Sequence, residues 1–166
     1  MSDAGAAIHD GLRRGGVDLV VYLPESVLEA ATDRIEADHE ITTLVCSRED
    51  EGVAIAAGAA LTGRMAAVLM EGSGLGLSGL ILARALLHHV PLLVIASHNR
   101  VLGESMAFHA ATNLAAEATF TGLGIPHLLV TDRDALGTWV EQAIATARGQ
   151  RTVIGLLVPP FVMRDA

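Results

Sequence analysis

Six short runs, apolar almost throughout, constrain this chain more than any other feature. They are Asp18–Leu23, Ile41–Cys46, Met65–Met70, Pro91–Ala96, His127–Val130 and Thr152–Val158. None shows the apolar–polar alternation of a strand with one wet face. They therefore predict strands of a parallel sheet covered on both sides. Between them lie stretches with helical spacing, over 4–15, 25–37, 49–62, 77–88, 113–122 and 133–148. Gly15-Gly16 supplies a stop for the first of these. In the second, Val27, Leu28, Ala31 and Ile35 share one face. Ser97–Thr112 is predicted to be irregular. The strand–helix alternation predicts one doubly wound α/β domain over 1–166, a six-stranded, mainly parallel sheet with helices on both faces. Ligands of such sheets sit beyond the carboxyl ends of the strands.

Composition narrows the partners. With three Phe, one Trp and one Tyr, the core must be built from Ala, Val, Leu and Ile. A formal net charge of −8 leaves no basic stripe to neutralise phosphates, which argues against nucleic acid. Cys46 is the single cysteine, so no internal disulfide forms, and a reducing cytoplasm is expected. The first ten residues lack the basic-then-apolar order of a signal peptide. No apolar stretch approaches the roughly 20 residues that span a bilayer, so no membrane partner is expected.

The expected strand tips are Leu23-Pro24-Glu25-Ser26, Ser47-Arg48-Glu49, Glu71-Gly72-Ser73-Gly74 and Ser97-His98-Asn99. Glu49 stands at one of them and opens a helix of small residues, Gly52-Val53-Ala54-Ile55-Ala56-Ala57-Gly58. Acidic residues in a first turn complement the helix dipole, which explains Asp50 and Glu51. A helix this apolar must be buried, and that draws Glu49 into a crevice or interface. An unpaired carboxylate is costly there, which makes it a candidate for proton chemistry.

Gly74-Leu75-Gly76-Leu77-Ser78-Gly79 matches G-x-G-x-x-G. It follows the third strand rather than the first, and the next strand tip holds no acid for a ribose. Gly72–Gly76 is read instead as a turn that lets the backbone approach a ligand ring. No histidine pair has zinc-ligand spacing, and G-x-S-x-G around Ser73 is absent. His88-His89 suits a helix end. His98 is the histidine placed nearest a site, with a structural role equally open. Cys46 reads as a packing residue.

Several of these residues resemble the pyrimidine-binding domain of thiamine diphosphate enzymes. Glu49 with Gly58 in an Ala-rich helix resembles its E-x(8)-G helix. Gly16-Val17-Asp18 through Leu23-Pro24 resembles its first strand and tip. Ser73-Gly74-Leu75-Gly76 is similar to its S-G-x-G loop, and Val90–Ile95 to its fourth strand. Arg48-Glu49-Asp50-Glu51-Gly52-Val53, Ser97-His98 and Leu102-Gly103-Glu104 are similar to the alpha subunits of sulfopyruvate decarboxylases and the matching half of phosphonopyruvate decarboxylases.

The resemblance implies a thiamine diphosphate-dependent 2-oxo acid decarboxylase. Glu49 would be its catalytic residue, hydrogen-bonding a ring nitrogen of the cofactor's aminopyrimidine. Pro24, Glu25, Glu49, Ser73, Gly74, Leu75 and Gly76 would touch the cofactor. Arg48, His98 and Arg100 are the candidates for an anionic substrate group. Relatives carry Q-N-S-G-L-G-N where this chain has Glu71, Gly72 and, at the last position, Leu77.

The family also binds Mg²⁺ and diphosphate through a G-D-G segment, and no Gly-Asp-Gly occurs here. The resemblance therefore implies half an active site. It would be completed by a beta subunit carrying that segment and the Mg²⁺, in an α2β2 or larger hetero-oligomer. Helix 49–62 and the stretch 97–112 would face that partner. Two other readings stay open, a carboligase subunit and a non-catalytic regulatory subunit.

Overall fold

The structure is a computed structural model and describes residues 3–163. Helix α1 (Ala4–Arg14) starts at Asp3, whose carboxylate accepts the Ala6 N–H at 3.1 Å, and ends with Arg13 and Arg14. The cap satisfies a donor the helix leaves unpaired, and the arginines complement the negative end of its dipole. There follow β1 (Leu19–Tyr22), α2 (Glu29–Glu36), β2 (Thr42–Val45), α3 (Glu49–Leu61), β3 (Ala66–Glu71), α4 (Ser73–Leu87) and β4 (Leu92–Ser97). The chain continues through α5 (Ala107–Thr112), α6 (Leu114–Leu123), β5 (His127–Leu129), α7 (Leu136–Gln150), β6 (Val153–Val158) and α8 (Pro160–Met163).

All six strands are parallel, in the order β2-β1-β3-β4-β6-β5. Side chains alternate between two cores. Val20, Tyr22, Leu69, Ile95 and Leu156 face α1, α2 and α7. Val21, Val68, Met70, Val94 and Leu157 face α3, α4 and α6. Each buried aliphatic side chain contributes about 1.5–3 kcal/mol. Helices α1 and α7 approach closely through Gly11, where a Cβ would lie 2.7 Å from the Gly137 carbonyl oxygen.

The central strands β1, β3, β4 and β6 are buried, as their apolar runs predict, apart from the half-buried Glu71 that ends β3. The edge strands are not covered on both faces: β2 and β5 are largely exposed, and Val45 is 62% exposed. A strand with only one neighbour lies at the margin of the helical layers.

Three elements depart from the sequence reading. Gly72–Gly76 is not a turn, because α4 begins at Ser73 and takes in Gly74 and Gly76. Glycine disfavours helix by about 1 kcal/mol, but here it makes room. A Cβ at Gly76 would lie 2.8 Å from Ala115 Cβ on α6. Helix α2 starts at Glu29 rather than 25, because the Glu25 carboxylate accepts the N–H of Val27 at 2.9 Å and of Leu28 at 2.5 Å, folding those residues into a turn. The stretch 97–112 is not wholly irregular, since it contains α5.

Candidate functional site

The order of the sheet reverses at β1, which has β2 on one side and β3 on the other. Beyond the carboxyl ends of β1, β3 and β4 lies a cavity of about 250 Å³, lined by Glu25, Ser26, Glu71, Asn99, Glu104 and His109 among others. A crevice at such a reversal is where doubly wound sheets take ligands.

Glu25 follows the tip of β1. Burial, above all, pushes its carboxyl up from the ordinary value, and the charge of Glu71 adds to this. The N–H groups of Val27 and Leu28 and the hydroxyl of Ser97 oppose the shift. Ser97 is completely buried, and its Oγ lies near Glu25 without forming a well-directed hydrogen bond to any described residue.

Glu71 ends β3. Its carboxylate accepts from Ser73 Oγ at 2.6 Å and from Asn113 Nδ2 at 3.3 Å. Asn113, between α5 and α6, is itself buried. Its Nδ2 also donates to the His109 carbonyl at 3.0 Å, and its Oδ1 accepts the Asn99 N–H at 3.3 Å. One amide thus ties the tips of β3 and β4 to α5. Gly72 makes room for it, since a Cβ there would overlap Asn113 Oδ1 and the Ser97 carbonyl. Nothing in the local sequence marks Asn113, which comes from a distant segment.

Glu49 opens α3 with Asp50 and Glu51. Asp50 is spent on Arg48, which donates Nε and Nη2 to its two carboxylate oxygens at 2.9 and 3.1 Å. Glu51 accepts the Ser47 N–H at 2.9 Å. Glu49 is half-buried and has no hydrogen bond or ion pair with any described residue, although its stem packs on Gly74 of α4. Cys46 lies beside it, buried among core residues, and burial pushes its thiol up.

The remaining predicted residues divide. Pro24 and Ser73 sit at the tips of β1 and β3, with Gly74 next to Ser73. Leu75 is fully buried in the core, and Gly76 packs α4 on α6. Arg48, His98 and Arg100 are not gathered on the cavity. Arg48 is exposed and paired, and Arg100 is exposed. His98 is 4% exposed, its Nδ1 unpartnered, and burial is the main cause of its depressed pKa. Glu117 opposes that shift and Arg100 adds to it.

Glu104 fastens the segment before α5. It accepts the Met106 N–H at 2.7 Å and meets His109 Nδ1 at 3.0 Å. These contacts hold its carboxyl below the ordinary value, with the Met106 N–H the largest cause.

The described residues fit the heterocyclic end of the cofactor that the resemblance implies. Glu49 offers an unpaired carboxylate beside a glycine that admits it, and Ser97 Oγ and His98 Nδ1 are buried polar atoms without partners. Among the described residues, no group of three or more His, Cys, Asp or Glu side chains is placed to hold a metal ion. None of the described helices is long and apolar enough to cross a membrane.

Comparison with known proteins identifies the family. The sequence profile of the family described as thiamine pyrophosphate enzyme, N-terminal TPP binding domain, matches residues 2–120. The sulfopyruvate decarboxylase subunit alpha of Methanothermobacter thermautotrophicus is 37% identical over 151 residues, covering 88% of this chain and 92% of the relative. Its namesake in Methanococcus maripaludis is 33% identical over 106 residues, 63% of this chain and 64% of the relative. In three dimensions, the 2-oxoglutarate:ferredoxin oxidoreductase of Magnetococcus marinus superposes with a TM-score of 0.78 at 17% identity. That match takes in 98% of this chain but only 29% of the larger one, and shows a shared fold. The chain therefore belongs to the thiamine pyrophosphate enzyme family, carries its N-terminal TPP-binding domain, and stands among the alpha subunits of its decarboxylases.

Proposed function

We propose that this chain is the alpha subunit of a 2-oxo acid decarboxylase and that Glu49 activates the cofactor at its aminopyrimidine. The observation that carries this is the unpaired, half-buried carboxylate of Glu49 seated against Gly74. When bound, thiamine diphosphate supplies the carbon nucleophile and the electron sink for breaking the bond to the carboxylate. Glu49 provides a carboxyl that shares a proton with a ring nitrogen. Its place at the head of α3, partly shielded from water, lets it hold that proton in a fixed direction. Gly74 touches its stem, and Pro24, Glu25 and Ser73 at the tips of β1 and β3 would complete the cofactor's surroundings. Glu71 and Asn99 line the cavity that Glu25 shares, and Asn113 ties the two together.

The proposal includes a partner. Diphosphate and Mg²⁺ need oxygen ligands, and Gly-Asp-Gly is missing from this sequence. A beta subunit supplies them, in a hetero-oligomer within a reducing cytoplasm. The exposed apolar residues Ile55 and Leu61 of α3, with Leu102 and Phe108 near α5, are the surfaces offered to it. The substrate is a 2-oxo acid of the class named for the relatives.

The test is Glu49→Gln in the complex with the beta subunit. Turnover is expected to fall about 10²–10⁴-fold, with assembly unchanged. Turnover like that of the wild type in an intact complex would end the reading.

A further inference from the structure

The opposite edge of the sheet carries a second feature. Beneath the amino ends of the strands lies a cavity of about 540 Å³, lined in part by Gly16, Asp18, Arg64, His89, Arg148 and Arg151. Helices α1, α3, α4 and α7 all end around it. Four of its lining residues have positive φ: Gly16 at 71°, Gly63 at 95°, His89 at 52° and Arg151 at 52°. His89 and Arg151 are the only non-glycine residues with positive φ among the described residues. Glycine is the relaxed choice at such helix ends, and an L side chain there is strained. A charge that merely complements a helix dipole needs no left-handed residue. Arg148, in the last turn of α7, already serves that purpose.

The charge is also inverted. Three arginines face the single carboxylate of Asp18 and the partly negative carboxyl ends of four helices, in a chain whose formal net charge is −8. Two of the guanidinium groups are held in place. Arg64 donates Nε to Asp18 Oδ1 at 3.0 Å, and Nη2 to the Asp18 carbonyl at 2.7 Å and the Thr42 hydroxyl at 3.0 Å. Arg148 donates Nη2 to the Gly16 carbonyl at 3.1 Å and lies over that glycine. Among the described residues, neither Nη1 of these two arginines nor any atom of the Arg151 side chain has a hydrogen-bond partner. Guanidinium groups fixed in this way present their donors with little further loss of freedom.

We infer that this basal cavity binds a small phosphate-bearing anion, with Arg64 and Arg148 as fixed donors and Arg151 closing over it. Paired N–H donors of arginine match phosphate oxygens, and the cavity has room for a diphosphate. The site is separate from the crevice of Glu25 and from Glu49, both of which lie at the carboxyl ends of the strands.

Inorganic pyrophosphate titrated calorimetrically into the full-length chain, at an ionic strength of about 0.15 M, is the test. Saturable binding at one site is expected. Arg151→Gly should weaken it about tenfold or more without lowering the melting temperature, because glycine relaxes the left-handed position. Glu49→Gln should bind like the wild type. The inference is overturned by absence of saturable binding, by undiminished affinity in Arg151→Gly, or by weakening in Glu49→Gln, which would move the anion to the other edge. A lower melting temperature in Arg151→Gly would assign that guanidinium to the helix end and overturn it as well.

Discussion

Gly74 lies against the stem of Glu49. A Cβ at Gly74 would overlap Glu49 Cγ and come within 2.7 Å of its Cβ and Cδ. The first turn of α4 thereby fixes the direction of a carboxyl on α3. Gly74→Ala separates direction from stability. Alanine gains about 1 kcal/mol of helix propensity, while Glu49 must swing aside. The melting temperature is expected to move by only a few degrees, and turnover in the complex to fall about 10²-fold. Thermal scans and turnover on one preparation check this, and full turnover would show that Glu49 does not depend on the contact.

Glu25 gives a pH dependence with a definite sign. Burial, chiefly, holds its carboxyl above the ordinary 4.5. The folded chain thus binds this proton more tightly than the unfolded chain. The resulting stability is complete below that ordinary value and is lost as pH rises through the folded one. Glu25→Gln cannot ionise. Its one oxygen accepts only one of the two N–H groups, but its stability relative to the wild type is expected to be greater near pH 7 than at about pH 4. Urea midpoints at the two pH values decide the matter, and a relative stability that did not fall on acidification would refute the assignment.

Asn113 should matter more to stability than its unremarkable sequence suggests. Asn113→Ala leaves the Asn99 N–H without its partner and removes a donor from Glu71, while the His109 carbonyl keeps the backbone N–H of residue 113 at 3.1 Å. A buried group left unpaired costs about 1–3 kcal/mol, so a loss of roughly that size is expected in chemical denaturation. A loss below about 0.5 kcal/mol, the size of an ordinary surface change, would show that water replaces the amide.

The fold was legible because buried parallel strands leave a simple trace, a short apolar run with no wet face. Met65–Met70 and Pro91–Ala96 are such runs, and β3 and β4 occupy them within a residue. The glycine-rich run misled because glycine usually marks a turn, whereas here neighbouring helices outweigh its poor propensity. Glu25 and Glu49 could be picked out because strand tips are predictable. The contact of Gly74 with Glu49 and the bridging by Asn113 could not, because they join segments that only the packed structure brings together.

Gly58 carries a consequence of its own. It lies in the interior of α3, where glycine is a liability, yet a Cβ added there would meet nothing within 4 Å. Gly58→Ala should accordingly strengthen the solitary chain by about 1 kcal/mol. If the variant also fails to join its beta subunit, the vacancy on this helix is space kept for a neighbour's backbone, and one missing methyl group records where two proteins touch.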